Sequence, residues 1–122
     1  MNLREFAGTF LSTFEQRPHT PQEFVGYVEL SQDDVEDTLV ERGFSACRPD
    51  EWRKLDGDKQ IHVGLEERDG DTYIFAHWEY QWEEEPLKYA QGTERDLPKG
   101  VNEMRRELNL ASISYYNDRT IQ

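Results

Sequence analysis

The chain has 122 residues, with 26 acidic against 14 basic side chains for a formal net charge of −12, and only Lys54, Lys59, Lys88 and Lys99 of the basic ones are lysine. That length is too short for two good cores, and a lone cysteine, Cys47, allows neither an internal disulfide nor a thiolate metal cluster. No apolar run approaches the roughly 18 residues a membrane helix needs, so one acidic domain is expected, neither secreted nor membrane-spanning.

The setting this composition suits is the cytoplasm of a salt-adapted organism. Arginine has a weakly hydrated planar head, and at 1 M salt a Debye length of about 3 Å screens most of the self-repulsion. A mesophilic protein with a basic partner is the alternative source of the same charge. Mean hydropathy is low, at −0.96. The apolar residues nevertheless fall in periodic runs with 12% aromatic content, which favours a compact fold over disorder.

Leu3, Phe6, Ala7, Phe10, Leu11 and Phe14 form a stripe at helical spacing, predicting a helix over residues 2–16 that packs on the core. Arg17-Pro18-His19 ends it. Thr20-Pro21-Gln22-Glu23 then reads as a capping box opening a second helix at Pro21, with Phe24, Val25 and Val28 on its apolar side. Ser31 with Asp34 signals a third helix carrying Val35, Leu39 and Val40 and ending at Gly43. The pair formed by the second and third helices resembles a helix-turn-helix, with Glu29 where a small turn residue is usual.

Two alternating runs, Gln60 to Glu67 and Thr72 to Gln81, flank Arg68-Asp69-Gly70-Asp71, whose Asp-Gly centre predicts a type I′ hairpin. Pairing Arg68 with Asp71 sets Ile61 against Trp78, Val63 against Ala76 and Leu65 against Ile74, an all-apolar face. The opposite face pairs His62 with His77, Gly64 with Phe75, Gln60 with Glu79 and Glu66 with Tyr73. Residues 86–97 read mostly as loop. Pro98 opens a last helix with Val101, Met104 and Leu108 on one side, and Ser112 to Tyr116 alternates as a short final strand beside the hairpin. The expected architecture is a single α+β domain over residues 1–122: N-terminal helices, a central antiparallel hairpin, a C-terminal helix and a final strand.

No phosphate-binding loop, dinucleotide fingerprint, H-E-x-x-H, G-x-S-x-G or C-x-x-C motif is present, so a non-enzymatic reading is favoured and no cofactor is implied. Cys47 would be a nucleophile only with a base in reach, and reads as a small core residue. His62, His77 and Glu79 share one face of the hairpin, and two imidazoles with a carboxylate suit a divalent transition metal. The plainer reading of the same three residues, and the favoured one, is two half-buried histidines hydrogen-bonded to their neighbours.

Three helices before a long hairpin resemble a winged helix, a resemblance that implies DNA binding through the third helix. The charges there oppose it: five acids (Asp33, Asp34, Glu36, Asp37, Glu41) against Arg42 leave that stretch at −4. Arg48, Arg53, Lys54 and Lys59 form the alternative nucleic-acid patch. The favoured function is an interaction or regulatory protein binding another protein, or a second copy of itself, through Tyr80, Trp82, Tyr89, Tyr115 and Tyr116, since such rings are enriched at interfaces.

Overall fold

A computed structural model describes residues 24–117 of the chain. The predicted helix over residues 2–16 lies outside the described residues. Strands β1 (Phe24–Val28), β2 (Ser45–Arg48), β3 (Glu51–Asp56), β4 (Lys59–Arg68) and β5 (Asp71–Tyr80) form one antiparallel sheet in the order β1-β5-β4-β3-β2. Helix α1 (Gln32–Glu41) joins the two edge strands, β1 and β2. A short helix α2 (Pro86–Gln91) and a longer one, α3 (Leu97–Leu110), follow the sheet.

The predicted helix pair is corrected: residues 24–28 form an edge strand. Phe24-Val25-Gly26-Tyr27-Val28 is rich in aromatic and β-branched residues, and pairing with β5 from Phe24↔Phe75 to Val28↔Thr72 supplies hydrogen bonds a local helix would otherwise make. With that strand the helix-turn-helix and winged-helix readings fall. Residues 45–56, where the sequence shows no clear strand pattern, form β2 and β3. Their charged side chains hide the alternation, because long arginine and lysine stems lie along the sheet while their heads find carboxylates.

Helix α1 starts where its capping signal places it, the Ser31 hydroxyl accepting from the Asp34 N–H at 3.2 Å. It ends in a Schellman arrangement: Gly43 has φ 90°, Gly43 N–H donates to Val40 O at 3.0 Å and Phe44 N–H to Leu39 O at 2.9 Å. The hairpin register holds pair by pair, from Lys59↔Tyr80 to Arg68↔Asp71. Its turn has positive φ at Asp69 and Gly70, as a type I′ turn requires.

Segment 86–97, expected as loop, contains α2 over its first half. Proline at the start of that helix and left-handed Gly92 at its end are the signals for it. Residues 112–116 form no strand. Tyr116 makes a single bridge to Tyr27, so this segment lies beside β1 rather than next to the hairpin.

One face of the sheet carries Ile61, Val63, Leu65, Ile74, Ala76 and Trp78 and packs with Val35 and Leu39 of α1 and Val101, Met104 and Leu108 of α3. Helix α3 presses close at its first turn: a Cβ on Gly100 would collide with the backbone of His77 and stand 2.6 Å from the Trp78 nitrogen. Asp96 caps α3, its carboxylate accepting from Lys99 N–H at 2.8 Å, and its backbone pairs with Trp78. The helix is thereby tied to β5 beside His77. Among the described residues, no helix is long and apolar enough to cross a membrane.

Candidate functional site

The second face of the sheet is also buried near its centre, but its side chains are polar. The register brings Gln60 and His62 of β4, His77 and Glu79 of β5, and Glu51 and Arg53 of β3 to this face. Gln60 and Glu79 are at most 1% exposed and His62 7%. A charge in such a place must be compensated locally.

Glu79 supplies the compensation. One carboxylate oxygen, Oε2, accepts from Gln60 Nε2 at 2.9 Å and lies 3.0 Å from His62 Nδ1, while Oε1 lies 3.2 Å from both His77 Nε2 and Arg95 Nη2. His62 Nδ1 and His77 Nε2 are themselves 3.2 Å apart. The other nitrogen of His62, Nε2, donates to Glu51 Oε1 at 2.6 Å, so Nδ1 is the nitrogen that faces His77 and Glu79, donating to the carboxylate in the imidazolium and offering its lone pair when the ring is neutral. Cys47, Glu51 and His62 also bring ligand atoms within 4.8 Å of one another.

Burial alone would penalise the charge on Glu79, yet hydrogen bonds from His62 and His77 overcome it and hold this carboxyl far below the usual carboxylate range. The same contest at Glu51 also ends below the ordinary value, through His62. For His62, burial disfavours the imidazolium, but hydrogen bonding to Cys47, Glu51 and Glu79 prevails and raises its pKa well above the usual histidine value. In the metal-free protein this cluster is an ionic network with His62 at its centre.

Trp82 and α2 flank the network. The Trp82 ring meets His62 edge-on at 6.4 Å and Tyr89 at 5.6 Å, and Arg53 stacks over it at 4.1 Å while forking onto Glu83 at 2.7 and 2.6 Å. Arg48 reaches the Tyr89 hydroxyl at 3.2 Å. Trp82 and Tyr89 therefore sit together beside the site. Tyr80 is buried and donates to Glu94, and Tyr115 and Tyr116 lie at the far end near Tyr27. The five rings do not form one surface.

The four cations of the nucleic-acid patch do not form one cluster: Arg48 and Arg53 both stand over the Trp82 ring, and the two lysines lie elsewhere. Arg53 and Lys54, as neighbours in a strand, project to opposite faces, and Lys54 bonds Glu107 of α3 at 2.7 Å. Lys59 faces Glu94 at 3.5 Å, and Arg48 lies 4.0 Å from Glu51. Cys47, expected in the core, is half-buried on edge strand β2 near His62.

Glu51, Arg95 and Cys47 were not legible as members of this cluster. One signal was present: Gly64, an interior strand glycine, sits opposite Glu51, and no described atom comes within 4 Å of where its Cβ would be. That gap gives the Glu51 side chain room to lean across the ladder onto His62. Comparison of the chain with protein-family models, curated proteins and solved structures gives no match.

Proposed function

We propose that the protein binds one divalent transition-metal ion through His62 Nδ1, His77 Nε2 and the carboxylate of Glu79. The observation that carries this reading is the convergence of four donor atoms: His62 Nδ1 lies 3.0 Å from Glu79 Oε2 and 3.2 Å from His77 Nε2, which is itself 3.2 Å from the other carboxylate oxygen, Oε1. Donors held about 2.0–2.2 Å from an ion stand about 3.3–3.6 Å apart in a tetrahedron and about 2.8–3.1 Å apart as octahedral neighbours. The observed spacings lie within or between those ranges, with one or both Glu79 oxygens available to the ion.

Without an ion, each imidazole N–H has its own Glu79 oxygen, but the two donors then face each other at 3.2 Å. A cation accepts the lone pairs of both nitrogens and of the carboxylate at once, which removes that opposition. Glu51 on His62 Nε2 is the outer carboxylate that orients ligating histidines and raises their basicity. Two nitrogens and one oxygen favour Zn²⁺, Ni²⁺ or Fe²⁺ over Ca²⁺ or Mg²⁺.

Thermal melts with Zn²⁺ and Ni²⁺ test the reading. At an ion concentration a hundredfold above Kd the expected stabilisation is about 2.7 kcal/mol. His77→Ala should fold and lose the shift. An unchanged melting temperature in the parent protein, or an equal shift in His77→Ala, sinks the proposal.

A second reading is supported by α2, none of whose residues is buried and whose Leu87 is 68% exposed. An exposed apolar side chain on such a helix suits contact with another protein or a second copy of this chain. Sedimentation in molar KCl checks the self-association form of it: an oligomer that Leu87→Asp dissociates is expected, and a monomer at all concentrations counts against it.

A further inference from the structure

An ion in the His62–His77–Glu79 triangle alters the charge balance of this end of the sheet. Among the described residues, the carboxylates in the cluster are Glu51 and Glu79, and each already has a guanidinium: Arg48 at 4.0 Å from Glu51 and Arg95 at 3.2 Å from Glu79. Arg53 is neutralised separately by Glu83. Two negative and two positive charges cancel, so a divalent ion adds two positive charges that no described side chain offsets. Three protein ligands also leave at least one coordination position to fill from outside.

Arg95 stands where that outside ligand would arrive. It comes from the loop between α2 and α3, its side chain is 40% exposed, and it shares Glu79 Oε1 with His77 Nε2. Its other hydrogen bond is a long one, Nη2 to the Tyr89 carbonyl at 3.5 Å. A guanidinium offers five donors in a planar fork shaped for two oxygens of one anion. Tyr89 joins the two arginines at the rim, meeting Arg95 through its carbonyl and Arg48 through its hydroxyl.

Resting on the metal reading, we infer that the site takes an oxyanion, a carboxylate or a phosphate, with one oxygen on the ion and another on Arg95. The ion supplies affinity. Arg95 supplies the discrimination between a two-oxygen anion and a simple water ligand. Ion and anion then bind with positive coupling, because each removes charge or an open coordination position that the other leaves.

The test loads the full chain with Co²⁺ and titrates malonate in one arm and inorganic phosphate in another, following the visible cobalt absorption and the melting temperature. A changed cobalt spectrum and at least a tenfold gain in apparent Co²⁺ affinity are expected with one or both anions, and which arm responds identifies the oxyanion. In Arg95→Gln the anion response should fall at least tenfold relative to that variant's own Co²⁺ affinity, and Arg95→Lys should recover part of it. Bound Co²⁺ with no response to either anion, or an undiminished response in Arg95→Gln, overturns this inference and leaves the metal reading standing. Failure to bind Co²⁺ at all ends both.

Discussion

Trp78 and Glu79 are neighbours in β5, and both are nearly inaccessible, at 9% and 1% exposure. Strand alternation sends them to opposite faces of the sheet, where burial is made favourable by different physics. Trp78 lies among Ile61, Val101 and Met104, stabilised by apolar area withdrawn from water and by dispersion. Glu79 is surrounded by Gln60, His62, His77 and Arg95, and its burial is tolerable only because every oxygen has partners. Shape governs one face, and complete satisfaction of polar atoms governs the other. The apolar face should therefore tolerate substitutions of similar volume, while the polar face should be most sensitive to loss of Glu79, the group that its other members share.

The largest effects come from breaking each face at its centre. Trp78→Ala is expected to cost about 3–5 kcal/mol as a cavity, and Glu79→Ala about 3–5 kcal/mol by leaving His62 and Arg95 uncompensated. Denaturant melts should show the two losses as similar in size, and a double variant with His62→Ala should separate them. Coupling of 0.5 kcal/mol or more is expected between Glu79 and His62, which share a network, and near-additivity between Trp78 and His62. Additive behaviour of the Glu79 and His62 changes would remove the network.

Gly100→Ala probes the contact that joins the faces, since its Cβ would strike the backbone behind His77. A loss of about 1–3 kcal/mol is expected from overpacking. It should be accompanied by weaker ion binding, because His77 moves with its backbone. A neutral substitution would place α3 farther from β5.

Titration distinguishes the faces without mutation, since only the polar one changes charge. The His62 pKa is raised on folding, so in metal-free protein its contribution is full below about pH 6.5, the unfolded value, and is lost as pH climbs through the folded value. Glu79 and Glu51 are depressed, so theirs is full above the ordinary carboxylate value of 4.5 and lost as pH falls. The melting temperature should peak between these limits and decline on both sides. His62→Asn should flatten the alkaline decline, and an unaltered decline in that variant would assign it to other groups.

The mildest expected effect concerns the surface outside both faces. With a net charge of −12 spread over 122 residues, raising KCl from 0.1 to 3 M should raise the melting temperature gradually as self-repulsion is screened. A flat or falling midpoint would favour the basic-partner explanation of the acidity.

The features the sequence determined by itself are those whose cause lies within a few residues. The Asp69-Gly70 turn fixes the β4–β5 register because only left-handed residues match the twist of the strands, and that register alone set His62 opposite His77 with Glu79 one step away. Ser31 capping and the Gly43 terminus bound α1 for the same local reason. Tertiary structure decided what depends on a distant partner. Residues 24–28 carry a helix-start signal just upstream, yet hydrogen bonding to β5, nearly fifty residues later in the chain, makes them a strand. Charge-rich β3 becomes a strand through its ladder with β4, and only that ladder brings Glu51 to His62. Arg95 reaches Glu79 because the α2–α3 loop folds back along β5. Turns and caps act through bonds between near neighbours, whereas strand pairing and buried ion networks join residues whose proximity exists only after the chain has folded.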